Sequence, residues 1–348
     1  MQCAPSVNVI AGVNGSGKTS MLEAISMLSH GRSFRTTLFD PIIQHEQDHL
    51  SVFGQVHSCS DTALKRLGVY VSRRKDKLMR IDGARCLSST LLAKALPLKI
   101  IAPHCFSLLE QGPKERRKYF DWLVFYLYPD FADLWKQYNR YLEQRNSVLK
   151  RDRFHATELS VWDRKLVELS LALQKMREET FLHLLPVITE LAEVFAMDQE
   201  LSLHLSPGWP VSKDLSVCLQ ESLAKDRLYG RSSYGAHRFD LVIKHGHLLA
   251  KDKLSRGQKK VLIYLLHIAQ VILLERLHRL KCVFLLDDLM SELDDHFSRL
   301  ICECLSHLHH QFFITTTDWQ KLVQLDIFQS HATKVFHVEH GAIGECDL

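Results

Sequence analysis

The sequence has 348 residues, a net charge of +4, 46% hydrophobic and 24% charged residues, 15 glycines and 9 prolines. At roughly 100–200 residues per domain, this allows two or three domains with ample core and excludes collagen-like or low-complexity chains. The mild basicity permits an anionic partner through a local patch without requiring one. Nine scattered cysteines with no C-x-x-C pair point away from a zinc site and toward a reducing cytoplasm. The first residues lack a basic stretch followed by an apolar block, so no signal peptide is expected. The longest largely apolar stretch, Val261 to Leu274, is interrupted by His267 and Gln270. It falls short of the roughly 18 apolar residues of a membrane span, so no membrane association is expected.

In chain order, Val7 to Ala11 reads as a buried strand, followed by Gly12-Val13-Asn14-Gly15-Ser16-Gly17-Lys18-Thr19. This fits the phosphate-loop pattern GxxxxGK[ST]. Met21, Leu22, Ile25 and Leu28 then recur at helical spacing, so the loop lies between a strand and a helix N-terminus. There its glycines let successive N–H groups face a phosphate, and the helix dipole adds positive potential. Lys18 can reach the β- and γ-phosphates of ATP, and the Thr19 hydroxyl can ligate Mg²⁺. Short strands are expected at Leu50–Val56 and Leu67–Val71, with Asp82-Gly83 as a hairpin turn.

Residues 113 to about 225 read as mostly helical. Trp135, Tyr138 and Leu142 share one helical face, as do Leu166, Leu169, Leu173 and Met176. Ser206 to Pro210 is a break. This stretch is too short for a long coiled-coil arm, and Pro129, Pro186, Pro207 and Pro210 are expected to interrupt one. Ten aromatics between Tyr119 and Tyr141 lie among basic residues. The aromatics read as a lobe core; Lys114, Arg116 and Arg117 are left open between DNA phosphate contact and a solvated rim.

From about residue 228 the α/β pattern returns. Ser255 caps a long helix, Val283 and Phe312 mark strands, a helix starts at Asp295, and a last strand covers Val335–Val338. The run Cys282 to Leu286 ends in Asp287-Asp288, the acidic half of a phosphate-loop site. Asp287 would hold the Mg²⁺ shell and Asp288 would orient or deprotonate the attacking water.

Taken together, Gly12–Thr19, Leu254-Ser255-Arg256-Gly257-Gln258 and Leu285 to Asp294 resemble the ABC-type ATPase head of the RecF family of bacterial recombination-repair proteins. Glu23-Ala24-Ile25, His30 to Arg35, Ile81-Asp82-Gly83, Gly112-Pro113-Lys114 with Arg116-Arg117, and Tyr234 to Leu241 agree with it. The resemblance implies an α/β fold: an ABC-type P-loop ATPase head with a mixed sheet, over residues 1–112 and 228–348, and an inserted, mostly helical domain over 113–227. It implies ATP and Mg²⁺ as cofactors. Gly12, Asn14, Gly15, Ser16, Gly17, Lys18 and Thr19 would bind ATP, Thr19 and Asp287 the metal, and Asp288 would be catalytic. Ser255, Gly257 and Gln258 would meet the γ-phosphate held by a second subunit, with Ser291 and Asp294 in a loop across the dimer seam. Implied partners are DNA at single-strand/double-strand gap junctions, a second copy in an ATP-dependent homodimer, and RecR and RecO. ATP turnover is expected to be weak, with ATP used as a switch.

The sequence departs from the family pattern in three places. It starts downstream of the family's first strand and FRN-like loop, so adenine contacts stay unassigned. Thr315-Thr316-Thr317 stands where transporter ATPases carry a switch histidine. His104 stands where an acidic residue is expected. The alternatives are a transporter ATPase subunit and an ATPase-gated nuclease.

Overall fold

Val7–Ala11 is buried at every position and forms β1. A strand buried on both faces belongs inside a parallel sheet covered on both sides. Here it lies between β11 (Gln311–Thr316) and β12 (Thr333–Glu339), parallel to both. β10 (Val283–Leu286) pairs in parallel with β11 and with β6 (Leu98–Ile101). β13 (Ala342–Cys346) closes the other edge antiparallel to β12, giving a mixed six-stranded sheet in the order β13-β12-β1-β11-β10-β6. The sheet belongs to a unit comprising Met1–Cys105 and Leu266–Leu348; Phe106–Leu265 forms a second unit. The computed structural model describes residues 1–57, 64–151, 156–197, 200–288, 295–324 and 332–346.

The helix Lys18–His30 carries two apolar contacts. Leu22 packs with Ile10, Leu98, Leu285, Phe313 and Val338 of the large sheet. One to two turns on, Met27 and Leu28 pack with Leu67, Val69, Val71 and Met79 of a second, antiparallel sheet. That sheet is β2 (His49–His57), β3 (Leu64–Ser72), β4 (Lys77–Ile81) and β5 (Ala84–Cys86). Burying one such aliphatic side chain contributes about 1.5–3 kcal/mol, so the helix is held from both sides. β2 alternates between exposed and half-buried residues along its whole length, as its sequence alternation predicts. Asp82 and Gly83 both have positive φ, 52° and 82°, which gives the tight hairpin turn expected between β4 and β5.

The second unit is mostly helical, with helices Pro113–Leu127, Phe131–Leu149 and Ala156–Val194. It also holds a three-stranded sheet, β7 (Leu201–Ser206), β8 (Asp240–His245) and β9 (Leu248–Leu249); β7 lies in the stretch expected to be helical, β8 and β9 in the part expected to be α/β. Pro186 does not interrupt the chain as expected: the helix Ala156–Val194 runs through it for 39 residues. Pro186 and Leu182 lie on the exposed side, where water can satisfy the carbonyl that proline leaves unpaired, while Leu184, Val187, Ile188 and Leu191 anchor the buried side. Two fully buried arginines tie the lobe together. Arg145 bonds Asp163 at 2.6 Å and Asp226 and Ser232 at 2.8 Å. Arg177 grips Asp121 with two bonds of 2.9 and 2.8 Å, donates to the Ala236 carbonyl, and lies 4.2 Å from the Phe239 ring.

The helix Arg256–His278 is long and apolar enough to cross a membrane by length and composition, contrary to the shorter stretch read from sequence. Every residue from Val261 to Val271, His267 and Gln270 included, is buried within the protein, which is the pattern of a core helix buried all round.

Beside the strands of the site, the Cys282 N–H donates to Nδ1 of the buried His310 at 3.2 Å. Burial pulls this imidazole down to about 4. The folded-state value lies below the unfolded one, so the unfolded chain takes up the proton first. The stabilising contribution is therefore complete above about pH 6.5 and is lost as pH falls toward about 4. His30 and His237 are likewise pulled down to about 4 by burial. Melting temperature should thus fall between about pH 7 and about pH 4.5, and His310→Asn, which keeps an acceptor near Nδ1 without titrating, should lose less of it. Equal losses in parent and variant would show that His310 does not contribute.

Candidate functional site

The phosphate loop leaves the end of β1 and re-enters regular structure at Lys18, the first residue of the helix Lys18–His30. Gly15 and Gly17 adopt φ of 82° and 111°, the left-handed region that a Cβ disfavours. Gly12 is required for a different reason. A Cβ there would lie 2.5 Å from the Val338 carbonyl oxygen and 2.6 Å from Ser16 Oγ. Lys18 is buried and its Nζ donates to the carbonyls of Gly12 at 2.8 Å and Val13 at 3.1 Å, curling over the loop. Ser16 Oγ is buried with no hydrogen-bond partner, an orphaned polar atom within the loop. Asn14 and Gly15 are exposed.

The hairpin of β12 and β13 supports this loop from the side. His340 and Gly341 have φ of 48° and 79°, a tight two-residue turn, and the Gly341 N–H donates to the Ser16 carbonyl at 3.0 Å. Sequence reading placed the last strand but not the hairpin, although His340-Gly341 between two strand-like runs was a usable turn signal. Behind the loop, the buried Glu23 accepts from Ser33 Oγ and pairs with Arg35 at 3.5 Å. The stretches Glu23–Ile25 and His30–Arg35 thus meet in the fold.

The acid ending β10 comes to the same place. Thr19 Oγ1 lies 3.2 and 3.3 Å from the two carboxylate oxygens of Asp287. Neighbouring oxygen ligands around a magnesium ion, each at about 2.0–2.1 Å, sit about 2.9 Å apart, so this pair fits the hard-oxygen chemistry of that ion. Asp287 is buried and also accepts from Thr315 Oγ1 at 2.7 Å. Asp288 is half-buried with φ of 56°, and its N–H donates to Thr315 Oγ1 at 2.7 Å. The sequence marks Thr315-Thr316-Thr317 only as a departure from the switch histidine of transporter ATPases and does not place the Thr315 hydroxyl on the two acids.

In the other unit, Ser255 and Gln258 form a reciprocal cap on the helix Arg256–His278. The Gln258 N–H donates to Ser255 Oγ at 3.3 Å, and the Ser255 N–H donates to Gln258 Oε1 at 3.0 Å. Both residues and Gly257 are exposed, and nothing lies within 4 Å of a Cβ built at Gly257. Ser255 as N-cap was expected; the S-x-x-Q spacing that makes Gln258 its partner was also legible.

The three basic residues left open between DNA contact and a solvated rim lie in different surroundings. Arg116 holds Asp240 with two bonds of 2.7 and 2.9 Å, and Arg117 donates to the Phe239 carbonyl at 2.6 Å. Both guanidiniums are therefore committed inside the fold, because the Phe239-Asp240 segment supplies acceptors that outcompete solvent. Lys114 is exposed. Ser291 and Asp294 lie outside the described residues, as does the side chain of His104.

A phosphate loop opening a helix, with an acid ending the next parallel strand but one and a helical insertion, fits an ABC-type P-loop ATPase head. The sequence model of the RecF/RecN/SMC N-terminal domain family matches residues 1–343. A DNA replication and repair protein RecF from Cellvibrio japonicus is 39% identical over 338 residues, covering 97% of this chain and 92% of that protein. One from Pseudomonas paraeruginosa is 40% identical over 344 residues, covering 98% and 92%. The chain belongs to the RecF family. Among solved structures, the recombination mediator protein RecF with ATP, of the RecFOR pathway, aligns with a TM-score of 0.86 and 27% identity over 99% of this chain and 92% of that one. An Smc head bound to the C-terminal winged-helix domain of ScpA aligns with a TM-score of 0.58 at 15% identity, covering 100% of this chain and 91% of that one, a likeness of fold.

Two glycines should respond oppositely to alanine. Gly12→Ala forces the Val338 backbone to move and should destabilise by about 1–3 kcal/mol. Gly257→Ala meets open space on a helix and should be neutral or stabilise by up to about 1 kcal/mol. Thermal melting of both variants checks the pair; a Gly12→Ala protein as stable as the parent would contradict the close approach of Val338.

Proposed function

We propose that this chain is an ATP-dependent DNA-binding protein of recombinational gap repair, with ATP acting as a switch and turned over slowly. The observation that carries the reading is the convergence of Ser16, Lys18, Thr19 and Asp287 at the ends of β1 and β10. Loop N–H groups and the helix N-terminus would hold the phosphates, and Lys18 would leave the Gly12 and Val13 carbonyls to pair with them. Thr19 and Asp287 would hold Mg²⁺, which supplies charge neutralisation between the β- and γ-phosphates. Asp288, half-buried at the strand end, would orient and deprotonate the attacking water.

The second half of the site would come from another copy. Ser255 Oγ already accepts the Gln258 N–H, which leaves its own hydroxyl proton to donate outward. The N–H groups of Arg256 and Gly257 lie at the same helix mouth. Ser255, Gly257 and Gln258 would therefore meet the γ-phosphate bound by the partner copy, with Ser291 and Asp294 at the seam. The closed dimer would hold DNA near single-strand/double-strand junctions, with Lys114 among the phosphate contacts, and hydrolysis would release it. RecR and RecO are the partners this reading suggests for loading recombinase, in keeping with the pathway named for the solved relative.

Mixing two defective variants tests the composite site. Lys18→Ala removes the phosphate cation, and Ser255→Arg blocks the exposed helix mouth with bulk. Each homodimer then has two dead sites, whereas a mixed dimer has one site built from intact halves. Mixing should restore part of the ATPase activity. Mixed dimers detected by light scattering that regain no activity would contradict the assignment of Ser255 to the partner's nucleotide.

A further inference from the structure

We propose that Thr315 is a positioning residue for both acidic groups of the nucleotide site, setting the orientation of Asp287 toward the metal and the backbone at Asp288. The proposal rests on the reading of Thr19 and Asp287 as the nucleotide-metal pair. Thr315 is fully buried on β11, in register with Ile10 of β1. Phe313, two residues earlier and on the same face, packs against Leu22 and Leu285. The apolar pattern of that face would place a Val or Ile at 315. A buried hydroxyl there costs free energy unless it is hydrogen-bonded, and this one is used twice.

Its oxygen accepts the Asp288 N–H at 2.7 Å and its proton goes to Asp287 Oδ1, also at 2.7 Å. The two bonds have separate consequences. The first holds a non-glycine residue at φ of 56°, a conformation that costs about 1 kcal/mol or more and persists only where the surroundings enforce it. The second fixes one carboxylate oxygen of Asp287. Thr19 Oγ1, on the helix Lys18–His30, reaches both carboxylate oxygens, so the carboxylate is held from a strand and a helix at once. Groups that hydrogen-bond a metal ligand typically change metal affinity or activity by roughly 10–100-fold when removed.

Shape and hydrogen bonding make opposite demands at this position, and three substitutions separate them. Thr315→Val keeps the shape and loses both bonds. Thr315→Ser keeps both bonds and loses a methyl group. Thr315→Ala loses both. The readout is the dissociation constant of ATP with magnesium and with magnesium chelated, together with melting temperature. In Thr315→Ser the magnesium-dependent gain in ATP affinity should stay within about twofold of the parent, and in Thr315→Val and Thr315→Ala it should shrink by roughly 10-fold or more. Binding without magnesium should be unchanged in all three, because the phosphate loop and Lys18 are intact. If Thr315→Val retains the full magnesium-dependent gain, or if Thr315→Ser loses as much as Thr315→Ala, Thr315 is a packing residue and the proposal is wrong. Should the parent itself show no magnesium-dependent gain, the metal site at Thr19 and Asp287 fails, and this proposal with it.

Discussion

The site depends on the position of one strand. β11 lies between β1 and β10, hydrogen-bonded in parallel register to both. β1 ends in the phosphate loop and β10 ends in Asp287, so the sheet itself sets the separation of the two halves. Thr19 and Asp287 are 268 residues apart in the chain, yet they lie 3.2 Å apart because β1 and β10, on either side of β11, run parallel and end at the same edge of the sheet. Parallel strands all point their C-terminal ends one way, which gathers loops from distant sequence at one edge. The Gly12 N–H completes the tie by donating to the Thr316 carbonyl at 3.3 Å.

Much of this was legible in sequence because the motifs are local. A glycine-rich loop between an apolar run and a helical pattern has few structural outcomes, and an apolar strand ending in two acids narrows them further. What escaped was set by pairing rather than by pattern. β13 and the His340-Gly341 turn became part of the site only through contact with Ser16. Thr315 stood out only as part of the Thr315-Thr316-Thr317 departure, since nothing in Ile314-Thr315-Thr316 says which hydroxyl faces a carboxylate. β7 was missed although Leu201, Leu203 and Leu205 alternate with Ser202, His204 and Ser206, a period-two signal overridden by the helical stretches around it.

The helical unit shows a different limit. Arginines near aromatics are readable as a nucleic-acid surface or as a core, and composition does not decide between them. Arg116, Arg117, Arg145 and Arg177 all turn inward, to Asp240, the Phe239 carbonyl, Asp163 with Asp226, and Asp121. The acceptors lie 18 to 124 residues away in the chain. The segment Tyr234 to Leu241, which carries part of the family resemblance, is held by Arg116, Arg117 and Arg177. The four guanidiniums form a hydrogen-bonded polar network beside buried aromatic side chains.

The central claim is that Thr19 and Asp287 act as one metal-binding pair because the sheet places them together. A double-mutant cycle on the dissociation constant of magnesium-ATP, with Thr19→Val, Asp287→Asn and the combination, measures this directly. Each single variant should bind more weakly, and the double variant should bind about as weakly as the worse single one, a coupling of about 1 kcal/mol or more. Losses that simply multiply, to within about twofold, would mean that the two residues act independently and that the pairing across β11 does not build the site.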